Sequence, residues 1–235
     1  MRILAFDTAL NACSVAIMDD RDILAHTHEK RRRGHAEALI PMIEDLMDGI
    51  GLAYTEIDLI AVTVGPGTFT GLRIGLAAAR GMSLAARKPL VGITTLEALA
   101  AAVPQGMAQG CPVIATADAR RGEVYLQSFN MKNDNDIISP LSSPKACKIE
   151  TALASTGLEK AFIIGSGGAL LRSQPGFDET RYQLLNLDED PDARHIARIA
   201  LERGAPPPNS TSPAPLYLRA PDAKLPGGQT PTIGK

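Results

Sequence analysis

Residues 59–73 read Leu-Ile-Ala-Val-Thr-Val-Gly-Pro-Gly-Thr-Phe-Thr-Gly-Leu-Arg. The apolar, β-rich run that stops at Gly65-Pro66-Gly67 predicts a buried strand with a sharp end. Thr68 or Thr70 can cap the helix predicted by the small-residue run over 69–86. A glycine loop between a strand and a helix N-terminus offers free N–H groups to an anion. The loop is no Walker A, since no Gly-Lys-Ser/Thr follows, and its G-x-G-x-x-x-G spacing misses the dinucleotide fingerprint. The plainer reading is a turn that needs positive φ, with Gly71 allowing close packing.

Upstream, strands are predicted over 2–6, 12–18 and 23–28, with a charged turn at 19–22. Helical spacing then takes over, with Ala36, Leu39, Ile40, Ile43, Leu46, Met47 and Ile50 recurring at three- and four-residue intervals. Downstream, a short strand (90–93) leads to a helix capped at Thr94 or Thr95, with Glu97 in its first turn. The second half repeats the plan. A strand over 113–117 ends at Asp118 and a turn, followed by a strand over 123–130, as 3–6 ends at Asp7 before 13–18. The strand 161–164 and its loop Gly165-Ser166-Gly167-Gly168 echo 59–64 and its glycines. Two similar offsets in one order predict an α/β chain of two duplicated subdomains, 1–104 and 105–220. Residues 205–235 hold eight of the 17 prolines; only 216–219 reads as a docked strand, and 221–235 as a mobile tail.

Composition narrows the partners. The 235 residues carry 24 basic and 26 acidic side chains, a formal charge of -2, 45% hydrophobic residues and a mean hydropathy of zero. A chain this long buries enough surface to fold without disulfides or a structural metal. Three cysteines fit a reducing cytosol. Near-neutrality argues against gripping nucleic acid alone, which rests on many Lys/Arg–phosphate contacts. The longest uncharged run, 98–117, is broken by proline and glycine, and the apolar start is too short for a signal segment. A cytoplasmic protein with no membrane association is expected.

The candidate phosphate-handling residues are Asp7, Thr8, Ser14, Gly65, Gly67, Thr68, Asp118, Gly165 and Gly167. Carboxylates at the ends of first strands can hold a hydrated cation while turn amides and hydroxyls face a phosphate. Alternatively, each Asp satisfies the amides of its own turn. Gly71, Gly75 and Ala79 form a small-residue stripe, extended by Ala78, Met82 and Ala85, suited to close helix approach within or between chains. His26 and His28 share one face of a strand, but no Cys or His pair completes a site, so no metal is expected. Lys30-Arg31-Arg32-Arg33 reads as a solvated loop before a helix, and Cys13, Cys111 and Cys147 as bystanders.

Together these residues resemble the bacterial TsaB (YeaZ) family. The resemblance is carried by 2–9 and 13–16, by 35–43 with Pro41, and by Gly65-Pro-Gly-Thr-Phe-Thr-Gly-Leu-Arg-Ile-Gly75. Asp118-Ala-Arg-Arg-Gly-Glu-Val-Tyr125 and Pro215-Leu-Tyr-Leu-Arg219 complete it. It implies an actin-like (ribonuclease-H-like, ASKHA) duplicated fold and a non-catalytic scaffold or activating subunit, without activity of its own. By that resemblance it joins a TsaD-like catalytic subunit and a TsaE-like ATPase that place a threonylcarbamoyl group on N6 of the adenosine beside the anticodon of ANN-decoding tRNAs. The catalytic relative binds metal through His-x-x-x-His, where this chain has His35 and Leu39. The family's homodimer and heterodimer interface implies partner contacts at His35, Leu39, Ile43, Leu46, Met47, Leu72, Gly75, Leu76, Ala79 and Met82. No cofactor is expected for the chain alone, with ATP/Mg at the complex interface and tRNA as the substrate of the complex. The alternatives are an autonomous Mg–ATP-dependent phosphotransferase or hydrolase using Asp7 and Asp118, and a metallopeptidase-like protein.

Overall fold

The computed structural model describes residues 1–104, 106–108, 110–131, 138–208 and 210–219. The tail 221–235 lies outside the described residues.

The first sheet is built from β1 (Arg2–Asp7), β2 (Ala12–Asp19), β3 (Asp22–Lys30), β4 (Leu59–Gly65) and β5 (Leu90–Thr94), in the order β3-β2-β1-β4-β5. β1, β2 and β3 pair antiparallel; β1, β4 and β5 pair parallel. The second sheet repeats this wiring. β6 (Val113–Arg120) pairs antiparallel with β7 (Glu123–Met131) and parallel with β10 (Ala161–Ile164), which pairs parallel with β11 (Tyr182–Leu184). β8 (Ile138–Pro140) and β9 (Lys145–Lys148) both lie against β7, in the place of β3. The duplication expected from two loop offsets is therefore a duplication of sheet topology.

Helices bury the four sheet faces. α1 (His35–Gly49) and α2 (Phe69–Ala86) cover one face of the first sheet, packing Leu39, Ile43, Met47, Leu76 and Ala79 against Leu4, Phe6, Val15 and Ile17. α3 (Thr95–Ala100) and α6 (Ala193–Arg203) lie between the sheets. Thr94 is the cap of α3, and its capping box with Glu97 satisfies donors at both ends of the turn. α6 had no counterpart in the sequence reading. It returns from the second half to the first sheet, burying Ile196, Ala197 and Ala200 against Ile3, Ala5 and Ala16. α4 (Ile149–Ala152) and α5 (Gly168–Arg172) close the outer face of the second sheet.

Residues 216–219 dock without forming a strand. The Leu216 N–H donates to Val64 O at 2.7 Å, Tyr217 stacks on Phe69 at 5.6 Å, and Arg219 Nε meets Glu123 Oε2 at 2.9 Å. One ladder bond is too few to define a strand, but the segment straps the glycine loop of one half to β7 of the other. Among the described residues no helix is long and apolar enough to cross a membrane.

Candidate functional site

The two halves enclose a cleft of about 1300 Å³, lined by the 30–35 turn, the loop at Gly67–Gly71 and the end of β6. Of the candidate phosphate residues, Gly67, Thr68 and Asp118 reach it, while Asp7, Thr8, Ser14, Gly65, Gly165 and Gly167 do not line it. Thr68 caps α2, accepting the Gly71 N–H at 3.1 Å. Asp118 is held by its own turn, accepting the Arg120 N–H at 2.7 Å and pairing with the Arg120 guanidinium at 3.0 Å.

The residues behind the wall are committed to the fold. Asp7 is fully buried; its Oδ1 accepts the Thr63 hydroxyl and the Ala9 N–H. Burial pushes its carboxyl up to about 7 against those two bonds. Thr8 donates to Gly71 O at 2.7 Å, and Ser14 donates to Thr27 O while accepting the N–H of Ala193 at 3.0 Å. A Cβ on Gly67 would stand 2.5 Å from Ala9 O, and one on Gly165 would stand 2.2 Å from Thr116 O. At both glycines the chain's own backbone lies close on the side a Cβ would take. Asp7 and Asp118 do not meet in the cleft, since Asp118 lines it and Asp7 is buried behind it.

Most of the expected partner residues lie inside this chain's own core. Leu39, Ile43, Met47, Leu76 and Ala79 point into the core, and Leu72 packs on Leu96 and Leu99. A Cβ on Gly75 would stand 2.7 Å from Thr8 Oγ1. His35 is buried; burial lowers its pKa despite backbone bonds with Leu10 and Ala12. Only Leu46 and Met82 of the expected contacts are half-exposed. The reason is geometric: the same 3.6-residue period that marks an apolar stripe also turns it toward the sheet. The outer face of α2 carries Ala77, Gly81, Leu84 and Ala85 together with Arg73 and Arg80, spaced to share one side of the helix and all exposed. Leu84 is 81% exposed, and nothing lies within 4 Å of where a Gly81 Cβ would be. On α1, Ile40 is 38% exposed. The sequence signal for this face was Leu84 itself, an apolar residue out of phase with Leu72, Leu76 and Ala79.

A family profile described as TsaD: tRNA N6-adenosine threonylcarbamoyltransferase matches residues 22–171. The tRNA threonylcarbamoyladenosine biosynthesis protein TsaB of Haemophilus influenzae is 34% identical over 175 residues, covering 72% of this chain and 73% of that protein. The chain belongs to the TsaB family. TsaB of Escherichia coli is 40% identical over 144 residues, and that match spans 58% of each chain. The solved structure of YeaZ from Pseudomonas aeruginosa superposes with a TM-score of 0.77 at 28% identity, covering 92% of this chain and 99% of that one. The TsaB likeness and the repeated sheet topology agree with the actin-like duplicated fold. In this TsaB-family chain Leu39, four residues after the buried His35, is 1% exposed and sits in the core.

Proposed function

We propose that the chain is a non-catalytic, activating subunit in tRNA threonylcarbamoyladenosine biosynthesis. It docks a TsaD-like catalytic subunit, with a TsaE-like ATPase completing the complex that modifies N6 of the adenosine beside the anticodon of ANN-decoding tRNAs. The observation that carries this reading is Leu39, an apolar core side chain four residues after His35, at the position to which the resemblance assigns the catalytic relative's second metal-binding histidine. The docking face is the outer side of α2, where Ala77, Gly81, Leu84 and Ala85 stand exposed beside Arg73 and Arg80, on the cytosolic protein we take this to be. The same face serves a homodimer when the chain is alone. The chain by itself requires no nucleotide for this role, and its partners supply the main contacts to tRNA, in keeping with its charge of -2.

Depleting the protein from its native cell and digesting the tRNA to nucleosides tests this. Loss of threonylcarbamoyladenosine is expected, restored by the wild-type chain; unchanged modification after depletion overturns the reading.

A further inference from the structure

His26 and His28 lie on β3, the edge strand of the first sheet, opposite Ala16 and Ser14 of β2. A two-residue spacing puts both imidazoles on one face of the strand, and their ring centroids are 6.5 Å apart with planes inclined by only 28°. That face looks at the start of α6, where Asp192 is the N-cap residue. His26 Nε2 is 3.0 Å from Asp192 Oδ1, and His28 Nε2 is 3.4 Å from Asp188 Oδ2. One donor atom each from His26, His28 and Asp192 falls within a span of 4.8 Å.

His26 Nε2 meets Asp192 Oδ1 as a close ion pair, while both ring nitrogens of His28 are buried without a hydrogen bond. Buried polar atoms are nearly always paired, and the unbonded imidazole of His28 beside the His26–Asp192 pair calls for a ligand. The side chains are largely covered, with exposures of 20%, 13% and 10% for His26, His28 and Asp192. Around them stand the carboxylates of Asp188 and Asp190, with Lys30 bound to both and Arg194 bidentate on Asp192. The three carboxylates against two fixed cations leave one negative charge for a divalent ion to meet.

We propose that His26, His28 and Asp192 form a binding site for one divalent cation of the zinc class, clasping the edge strand to α6. Two imidazoles and one carboxylate are a borderline nitrogen–oxygen set, suited to Zn²⁺ or Co²⁺ and poor for Mg²⁺ or Ca²⁺. Ligands ~2.0–2.1 Å from a tetrahedral zinc stand roughly 3.3 Å from each other. The His26–Asp192 edge of 3.0 Å is already near that spacing, and small imidazole rotations draw in His28. The fourth position falls to Asp188 or water. The proposal does not depend on the partner role, since its ligands lie on β3 and before α6, not on the outer face of α2.

The test is titration of the untagged, metal-stripped full chain with Co²⁺, read by visible absorption, and with Zn²⁺, read by calorimetry and thermal melting. One Co²⁺ per chain with a tetrahedral d–d band is expected, with a rise in Tm on adding Zn²⁺, because an ion that binds only the folded chain stabilises it. His26→Gln/His28→Gln should weaken Zn²⁺ beyond the ~10–100-fold that loss of a supporting partner gives. Long-range nitrogen NMR of the wild-type chain needs no variant to fold: Zn²⁺ should shift the imidazole nitrogens of His26 and His28 and leave those of His35 in place. No cobalt band at equimolar metal, a band that survives in the double variant, or zinc shifts confined to other residues overturns the site.

Discussion

Thr8 and Gly71 close on each other from both sides. The Thr8 hydroxyl donates to Gly71 O at 2.7 Å, and a Cβ on Gly71 would stand 2.0 Å from the carbonyl oxygen of Thr8. The turn after β1 therefore rests directly on the first turn of α2, and the glycine loop is a backbone-to-backbone joint. Backbone cannot swing aside as a side chain can. Gly71→Ala should cost at least the ~1–3 kcal/mol of an overpacked core, read as a fall in the urea midpoint without a change of slope. A variant as stable as the wild type would mean that the joint opens freely and that the loop has room for a ligand.

Restoring the missing histidine should not restore a metal pair. Leu39 is 1% exposed among Leu4, Phe6 and Ile43, so Leu39→His places an imidazole in the core. Burying an unpaired polar group costs ~1–3 kcal/mol on mutational scales. The expected result is a lower Tm, with no new zinc equivalent by calorimetry beyond that of the wild type. A second zinc equivalent with an unchanged Tm would show that this position faces the cleft.

The buried carboxyl of Asp7 gives a pH signature. Its folded pKa of about 7 lies above the ordinary 3.8 because burial disfavours the charged form. Between those values the folded chain keeps a proton that the unfolded chain gives up, so this group's contribution is full at low pH and is lost as pH rises through 7. One pKa unit corresponds to ~1.4 kcal/mol. Asp7→Asn keeps an oxygen for the Thr63 hydroxyl and the Ala9 N–H, and removes the ionisation. Its stability relative to wild type should therefore climb between pH 5 and pH 7.5 in urea melts. A difference independent of pH would contradict the buried, neutral carboxyl.

The strap at 216–219 should hold the halves together. Arg73 lies 3.6 Å over the Phe69 ring, whose other neighbour is Tyr217, and Arg73 Nε donates to the Tyr217 hydroxyl at 3.3 Å. Aromatic pairs add about 0.5–1.5 kcal/mol beyond the area they bury. Tyr217→Ala should lower the Tm and speed proteolysis at the Gly67–Thr70 loop, seen by limited digestion and mass spectrometry. Unchanged digestion would mean that the strap is ornamental to the joint.

Local chemistry made much of the fold legible. The strand ending at Gly65-Pro66-Gly67, the Thr94–Glu97 capping box and the apolar spacing of α1 each show themselves within a few residues, and the two glycine loops exposed the duplication. What stayed hidden depended on distant neighbours. An apolar stripe containing Leu39 and Leu76 does not say whether sheet or partner covers it, and α2 is small or apolar on nearly every side. Asp7 looks the same in sequence whether it faces a cation or Thr63. His26 and His28 had no visible partner because Asp192 arrives from the far end of the chain, on a helix whose cap and apolar spacing at Ile196, Ile199 and Ala200 went unread. The short strands β8, β9 and β11 carry too few residues for period-two alternation to show.

The central claim is that the chain works through the outer face of α2. The most direct measurement is threonylcarbamoyladenosine per tRNA, by nucleoside mass spectrometry, in cells depleted of the protein and supplied with Leu84→Asp. Leu84 is 81% exposed, so the purified variant should melt with the wild-type chain, as surface changes stay within about 0.5 kcal/mol. The account predicts a folded variant that loses the partner and leaves the modified nucleoside near the depleted level. Full restoration of the modification by Leu84→Asp would contradict it.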